Sequence, residues 1–348
     1  MAPSISVIVP IYNTESYLER CLSSIVEQSL KDIDIWCIDD CSSDGSADIV
    51  RRMQRADSRI NLLQHKTNRG LGAALNTGIN ASSAQFVASV DSDDFIDKDM
   101  LEHMLRVAST DDFDMIEAGF HCVDGNGNIL STYRPESREI DVKNQMKGLF
   151  QIGKHSVWAK LWRRSLFADT GIEFPEKTYF EDMATTPRLI AGAKRIRILS
   201  DVYYNYTVGR GDSIMSRVSA KHILDYMYCF DILRTFFFRD RNMFQCVDSY
   251  NKFVADNINY FKEIVEEAGL SRGEKEKYDR LLSMVEDASH ETAIEDAGAQ
   301  RDAPSAQGRS SGQNSSAPFS SFVKKIGSGK LCAWKTRASK RFKPDRHC

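Results

Sequence analysis

Strand-like and helix-like segments alternate with short connections through the first 120 residues, and this alternation constrains the fold more than any other feature. Short apolar runs typical of buried strands are separated by segments whose apolar residues recur at helical spacing. Repeated β-α-β units form a mostly parallel sheet with right-handed crossovers and helices on both faces. The alternation therefore predicts an α/β fold with a Rossmann-like sheet. The predicted strands are 5–9, 33–38, 60–63, 85–90 and 114–120, and the predicted helices are 18–26, 46–55, 70–81 and 100–108.

The segments that follow the strands are the places to search for a ligand site. Ligands of such sheets bind beyond the carboxyl ends of the strands. The relevant segments are 10–15, 39–46, 65–72 and 91–97, and each contains polar side chains. We expect all four to contribute to one ligand site.

The strongest chemical signal is the sequence VDSDDFID at 90–97, directly after a predicted buried strand. Asp91, Asp93 and Asp94 place carboxylates close together, and a divalent cation relieves their repulsion. Mg²⁺ and Mn²⁺ prefer oxygen ligands, supplied by one or two carboxylates and by substrate phosphates. In extended backbone Asp91 and Asp93 point to the same side, so we expect these two to bind the metal and Asp94 to be structural. An Asp-rich solvated turn or helix cap is the alternative interpretation.

Two further segments carry groups that suit a nucleoside. Tyr12, after the first strand, can stack on a flat base. Asp40 and Ser42, after the second strand, can accept hydrogen bonds from a base N–H or from ribose hydroxyls. The adjoining residues 44–46 are instead typical of a tight turn that caps the next helix.

The fourth segment is a glycine turn that leads into a helix. Its residues Asn68 and Gly70 could bring backbone amides close to a phosphate or a base edge. Together the four segments predict a nucleoside diphosphate with its metal as the ligand. The chain has no G-x-G-x-x-G after its first strand, no P-loop, no nucleophile elbow and no H-E-x-x-H motif, which argues against a dinucleotide cofactor and against hydrolases of those classes.

Four motifs follow one another along the first part of the chain: SVIVPIYNTESYLERCLSSI, IDDCSSDGSADIV, NRGLGAALNTGI and VDSDDFID. Their order resembles that of the family 2 glycosyltransferases with the GT-A fold. The resemblance is close over about residues 4–120 and looser to about 215. It implies an inverting hexosyltransferase that uses a nucleoside-diphosphate sugar, with UDP expected, and Mg²⁺ or Mn²⁺. The implied acceptor is a hydroxyl of a glycan or lipid-linked molecule in bacterial surface polysaccharide synthesis.

The same resemblance implies roles for individual residues. Asp91 and Asp93 match the family's D-x-D element, which holds the metal and the diphosphate. The residues expected to bind the nucleotide are Pro10, Tyr12, Asn13, Glu15, Asp40, Ser42, Asn68, Gly70, Asp91 and Ser92.

Two later stretches resemble the capsule and cell-wall branch of this family. VWAKLWRRSLF at 157–167 resembles its lysine-containing segment, and YFEDMATTPRL at 179–189 resembles its Glu-Asp motif. The resemblance makes Asp182 the general base, with Glu181 beside it. Transfer requires such a group because the acceptor hydroxyl loses its proton while it attacks the anomeric carbon. Adjacent carboxylates at a helix start could equally complement the helix dipole.

A last stretch, YNYTVGRGDSIMSR at 204–217, resembles a basic loop that closes over the diphosphate. Arg210 and Ser213 match its functional positions, and Lys160 is expected to assist them. Two departures reduce the number of cations: Leu75 and Thr207 stand where the family often has arginine. Reduced activity or an altered preference for the sugar donor would follow.

The rest of the chain divides by composition. Helical patterns are predicted at 158–167, 181–191, 219–238 and 243–268, and a turn is predicted at 124–127 between two short strands. The predicted parts are a nucleotide-sugar-binding core at 1–120, an acceptor-binding and catalytic part at 121–215, a helical extension at 216–286, a disordered linker at 287–321 and a basic aromatic tail at 322–348.

The cysteine content favours a cytoplasmic protein. The formal net charge of −3 gives no reason to expect nucleic acid as a partner, and the eight cysteines form no C-x-x-C pair. The N-terminus lacks the features of a signal peptide, and no apolar run is long enough to span a bilayer. The tail at 322–348 suits peripheral contact with an anionic membrane, and a solvated tail is the alternative. A non-catalytic nucleotide-binding scaffold and a metal-dependent nucleotidyltransferase remain alternative functions.

Overall fold

The computed structural model describes residues 2–209, 219–239, 241–265 and 270–283. Its strands are β1 Ile5–Ile11, β2 Ile33–Asp39, β3 Ile60–Gln64, β4 Phe86–Ser89, β5 Phe95–Ile96, β6 Met115–Val123, β7 Ile129–Tyr133, β8 Arg138–Asp141, β9 Lys160–Arg163 and β10 Arg195–Thr207. Its α-helices are α1 Glu15–Val26, α2 Ser46–Ala56, α3 Leu71–Ala81, α4 Met100–Thr110, α5 Arg164–Thr170, α6 Glu181–Gly192, α7 Ala220–Phe237 and α8 Val247–Val265. Lys143–Gln151 and Arg241–Cys246 form 3-10 helices.

One sheet joins all ten of these strands. Its order is β3-β2-β1-β4-β9-β6-β10-β5, with β7 added to β6 and β8 added to β10. The four strands β3, β2, β1 and β4 are parallel, as the alternation predicts. Beyond β4 the sheet is mixed, because β9 runs antiparallel to both of its neighbours. The predicted α/β sheet flanked by helices is therefore confirmed: it is parallel from β3 to β4 and between β6 and β10, and it is mixed where β9 is inserted.

The segment 158–167 also differs from its predicted helix. Residues 160–163 form β9, and helix α5 begins only at Arg164. Ala159 has a positive φ of 56°, which is incompatible with a continuous helix through this position. The short strand fits between β4 and β6 and pairs with both, and this long-range pairing overrides the local helical pattern.

The sheet is covered on both faces by helices. Strand β1 is buried along its whole length, with Val7 and Val9 in one core and Ile8 in the other. Helices α1, α2 and α4 pack on the first face, while α3, α6, α7 and α8 pack on the second. Alternating side chains of a strand point to opposite faces, so the mainly apolar run of β1, in which Ser6 is polar, reports this burial on both sides.

The helical patterns predicted near 181–191, 219–238 and 243–268 correspond to α6, α7 and α8, although 241–246 is 3-10 helix. The predicted linker at 287–321 and tail at 322–348 lie outside the described residues. Within the described ranges, none of the helices combines the length and apolarity that a bilayer span requires.

Candidate active site

The loops after β1 and β2 are joined by hydrogen bonds. The amide of Asn13 donates to Ser42 Oγ at 3.1 Å, and the amide of Ser43 donates to Asn13 Oδ1 at 2.8 Å. Glu15 Oε2 accepts the amide of Gly45 at 2.8 Å. The predicted site residues Asn13, Glu15 and Ser42 are thus brought together, but their polar atoms hold the two loops to each other.

The surface beside these loops offers an exposed ring. Tyr12 is 50% exposed although it directly follows the fully buried β1. Pro10, by contrast, lies within β1 and is buried. An exposed ring next to a polar loop has the geometry required for stacking on a flat base.

The carboxylate of Asp40 holds the glycine turn that follows β3. It accepts the amides of Arg69 at 2.8 Å and Gly70 at 2.7 Å, and it lies 2.6 Å from His65 Nδ1. The other ring nitrogen of His65 lies 2.9 Å from Thr77 Oγ1 in α3. The amide of Gly70, which the sequence suggested for a ligand, therefore donates to Asp40. Asn68 lies exposed in the same turn.

The acidic run forms a compact turn at the end of β4, here called the metal turn (residues 91–94) after the ion that the sequence predicts there. Carboxylate oxygens of Asp91, Asp93 and Asp94 lie within 4.8 Å of one another. Asp94 accepts hydrogen bonds from Tyr204 Oη at 2.8 Å and from the amide of Thr207 at 2.7 Å, as expected of a structural residue. Clustered carboxylates are the donor set that Mg²⁺ and Mn²⁺ prefer, so the residues present fit such an ion.

The metal turn is bound to its surroundings by buried hydroxyl groups. Tyr204 Oη accepts the amide of Asp91 at 3.1 Å, and Thr14 Oγ1 donates to Ser92 Oγ at 2.9 Å. Burial, and then the neighbouring carboxylates of Asp94 and Asp91, raise the pKa of Tyr204 well above its ordinary value. Tyr204 therefore remains a neutral donor and acceptor at physiological pH.

The Glu-Asp pair lies at the start of α6. Glu181 is buried, Asp182 is half-buried, and Asp182 Oδ1 accepts the amide of Met183 at 2.8 Å. The preceding residue, Phe180, has a positive φ of 64°. Asp182 thus forms a hydrogen bond at the start of the helix, which is consistent with a capping role. Its side chain is also partly accessible, which a general base requires.

Residues in strained backbone conformations surround this edge of the sheet. Asn13 follows β1, Cys41 follows β2, Ala159 precedes β9 and Phe180 precedes α6, with φ values of 51°, 65°, 56° and 64°. Each such residue costs about 1–3 kcal/mol, and such strain is concentrated at functional sites.

Lys160 is fully buried, and its ammonium forms an ion pair with Glu117 at 3.3 Å. Burial lowers the pKa of Lys160, whereas Glu117 and Asp182 oppose this effect. Glu117 also accepts the amide of Lys154. Sequence reasoning missed Glu117, because only the pairing of β6 with β9 places it opposite Lys160.

The two departures from the family pattern have different surroundings. Leu75 lies in α3 and is buried in the core, so position 75 contributes no cation to the site. Thr207 Oγ1 accepts a hydrogen bond from Arg20 Nη2 at 3.0 Å, a contact that the sequence did not suggest. The expected diphosphate residues Arg210 and Ser213 lie outside the described residues.

Comparisons with known proteins agree with this architecture. The profile described as Glycosyl transferase family 2 matches residues 6–171. The putative glycosyltransferase EpsH of Bacillus subtilis strain 168 is 32% identical over 228 residues, which cover 63% of this chain and 64% of EpsH. The poly(ribitol-phosphate) beta-N-acetylglucosaminyltransferase TarS of Staphylococcus aureus strain Mu50 is 30% identical over 215 residues, 61% of this chain and 36% of TarS. This chain therefore spans less than two thirds of either relative.

A solved structure shares the fold. The crystal structure of S. aureus TarS 1-349 in complex with UDP-GlcNAc matches with a TM-score of 0.68 and 24% identity, over 83% of this chain and 82% of that chain. The likeness establishes the GT-A fold. With the profile match and the order of the motifs, it leads to one assignment: residues 6–171 of this chain are a glycosyl transferase family 2 domain.

Proposed function

We propose that this chain is an inverting glycosyltransferase that moves a hexosyl group from a nucleoside-diphosphate sugar to a hydroxyl of a glycan or lipid-linked acceptor. UDP-sugars are the expected donors, and bacterial surface polysaccharide is the expected product. The observation that carries this proposal is the metal turn at the end of β4, within a family 2 domain and at the same sheet edge as the loops after β1 and β2. The complex of the fold relative TarS with UDP-GlcNAc supports the choice of donor.

The nucleotide would lie against the loops after β1, β2 and β3. The exposed ring of Tyr12 would stack on the base, and Asp40 would form the wall of the base pocket through the turn that it holds. Asn13, Glu15 and Ser42 would shape this pocket through their mutual hydrogen bonds. Asp91 and Asp93 would bind Mg²⁺ or Mn²⁺, which would neutralise charge on the departing diphosphate.

Asp182 would act as the general base. The acceptor oxygen would form a bond to the anomeric carbon while the bond to the diphosphate oxygen breaks, and the hydroxyl proton would pass to the carboxylate of Asp182. A single displacement of this kind inverts the configuration of the anomeric carbon. Glu181 would support the helix start, and Lys160, Arg210 and Ser213 would stabilise the leaving diphosphate.

A panel of nucleotide-sugars tests the proposed donor. Each sugar donor is scored for hydrolysis and for thermal stabilisation of the protein, with and without Mn²⁺. We expect a UDP-sugar to give the largest metal-dependent effects, and Asp93→Ala to abolish both transfer and the metal dependence. Asp48→Ala, which removes an exposed carboxylate from α2, is the matched control. Near-normal turnover by Asp93→Ala would exclude the metal assignment.

The base assignment is tested by Asp182→Asn. Sugar-donor affinity should stay within about twofold, while transfer should fall by roughly a hundredfold or more, the usual contribution of a positioned acid or base. Asp169→Asn removes an exposed carboxylate from α5 and serves as the control. Transfer at the parental rate in Asp182→Asn would remove Asp182 as the base.

A second candidate function is a non-catalytic nucleotide-binding scaffold. The observation that favours it is the buried Leu75 together with Thr207, where the family often carries arginine. Calorimetric titration with UDP separates the two functions when it is combined with turnover assays. Metal-dependent binding with hydrolysis of the sugar donor supports the enzyme, whereas binding without turnover on any acceptor supports the scaffold.

The cytoplasmic location and the membrane contact of residues 322–348 also stay proposals. Lys340, Arg341 and Lys343 belong to a basic, aromatic stretch that suits anionic headgroups, each cation contributing about 1 kcal/mol. The full chain should sediment with phosphatidylserine vesicles and not with phosphatidylcholine vesicles. Replacing these three residues by glutamine should release it.

A further inference from the structure

Arg20, in α1, connects three segments around the metal turn. Its Nη1 donates to the carbonyl of Gly125 at 3.0 Å, and its Nη2 donates to Thr207 Oγ1 at 3.0 Å. The same Nη2 lies 3.4 Å from the carbonyl oxygen of Asp93. One guanidinium thus contacts the metal turn, the hairpin turn between β6 and β7, and the last residue of β10.

The surroundings of this guanidinium hold it in place. Its Cζ lies 4.5 Å from the ring centroid of Phe95, and its Nε is buried. The hairpin turn is itself rigid, because the carboxylate of Asp124 accepts the amides of Asn126 and Asn128, both at 2.9 Å. A stacked and hydrogen-bonded guanidinium loses little further entropy when it orients a neighbour.

We propose that Arg20 is a positioning residue for the metal turn, whose backbone it fixes at Asp93 against Gly125 and Thr207. This inference rests on the proposed function, in which Asp91 and Asp93 bind the metal and the diphosphate. Arg20 acts through the turn and does not touch the ligand. Its planar fork of N–H groups reaches acceptors on three segments, which the compact ammonium of a lysine cannot bridge at once.

The test is calorimetric binding of UDP to the full chain with and without saturating Mn²⁺. The metal-dependent gain in UDP affinity is the readout. We expect Arg20→Gln to reduce this gain about tenfold, the scale of losing hydrogen bonds from a charged group. UDP affinity without metal should stay within about twofold of the parent, and Arg20→Lys should not restore the gain.

Two further variants separate positioning from general damage. Thr207→Val should reduce the gain by itself and add little when combined with Arg20→Gln, because the two residues share one contact. Glu19→Gln, which removes the exposed partner of Arg52 on the same helix, should leave the gain unchanged. Thermal unfolding curves ensure that every variant is compared while folded.

Several outcomes would overturn the inference. An unchanged gain in Arg20→Gln would exclude the positioning role while leaving the proposed function intact. Full rescue by lysine would show that charge alone is required. Parallel losses of UDP affinity with and without metal would indicate a structural defect only. A parent protein with no metal-dependent gain would overturn the metal assignment, and this inference with it, before any variant is compared.

Discussion

A single hydroxyl group on Tyr204 joins the metal turn to strand β10. It accepts the amide of Asp91 and donates to the carboxylate of Asp94, and the ring stacks on Trp158 at a centroid distance of 4.8 Å. Both hydrogen bonds are buried. The position of Asp91, one of the two proposed metal ligands, therefore depends on a residue more than 100 positions away in the sequence.

Tyr204→Phe should destabilise the protein by about 1–3 kcal/mol, because it leaves a buried carboxylate oxygen and a buried amide without their partner. It should also weaken metal-dependent UDP binding. Urea denaturation and calorimetry measure the two effects. Tyr203→Phe is the matched control, since that hydroxyl bonds to His103. Unchanged stability in Tyr204→Phe would contradict this account.

His155 is expected to make the stability of the protein depend on pH. Burial lowers the pKa of its ring from 6.5 to about 4, and the ring packs edge-on against Phe253. Between these two values the unfolded chain binds the proton more readily, so stability falls as the pH decreases from about 6.5 to about 4.

The loss of stability expected from the titration of His155 is at most about 3 kcal/mol. Contact between the ring and water makes this loss smaller. His155→Phe should therefore lose less stability than the parent over the same pH interval. Urea unfolding at pH 7 and pH 4.5 measures the difference between the two proteins. Equal losses in both would exclude His155 as the titrating group.

At the scale of elements, the start of α6 is set by packing against α7. Phe180 adopts a left-handed conformation directly before Glu181, and its ring lies edge-on to Tyr226 at 4.9 Å. The amide of Tyr179 donates to Asp225 of α7 at 2.9 Å. Contacts with α7 therefore hold the two residues that directly precede α6, the helix that carries the proposed base.

The variants Phe180→Ala and Phe180→Gly separate the contribution of the ring from that of the left-handed backbone conformation. Both remove the ring, but only alanine retains the cost of a left-handed residue, about 1–2 kcal/mol. We expect the glycine variant to be about 1 kcal/mol more stable than the alanine variant. Both should lower kcat more than UDP affinity. Equal stability of the two variants would show that the left-handed conformation is not retained in solution.

At the scale of the whole molecule, an ion pair links the two halves of the sheet. Glu117 in β6 and Lys160 in β9 are both fully buried, and β9 is the strand that joins β4 to β6. Removing one partner of a buried ion pair destabilises a protein more than removing both, because it leaves an uncompensated buried charge.

Glu117→Gln should destabilise the protein by about 3–5 kcal/mol. The double variant Glu117→Gln, Lys160→Met should recover part of that loss, because it removes the buried charge as well. Urea denaturation of the single and double variants provides the comparison. A double variant less stable than the single one would contradict a buried, mutually compensating pair.

The local pattern of apolar residues predicted the parallel strands β1 to β4 well. The mainly apolar runs at 5–9 and 33–38 correspond to β1 and β2, since a strand with both faces covered is mainly apolar. The same pattern failed at β9, whose residues 160–163 become a strand only because β4 and β6 offer partners on both sides. Short segments carry too little local information to resist such pairing.

The sequence alone predicts the chemistry proposed for the site. The carboxylates of Asp91 and Asp93 and the ring of Tyr12 are recognisable because their types and positions after strands suit one ligand class, whereas the pair at 181–182 is recognised by its resemblance to a family motif. Tertiary structure alone decided which protein groups the predicted site residues contact. Asp40 holds a turn, Lys160 pairs with Glu117, and other contacts connect residues distant in sequence. Hydrogen bonds and ion pairs depend on distances of a few ångströms, which exist only once the sheet has brought the segments together.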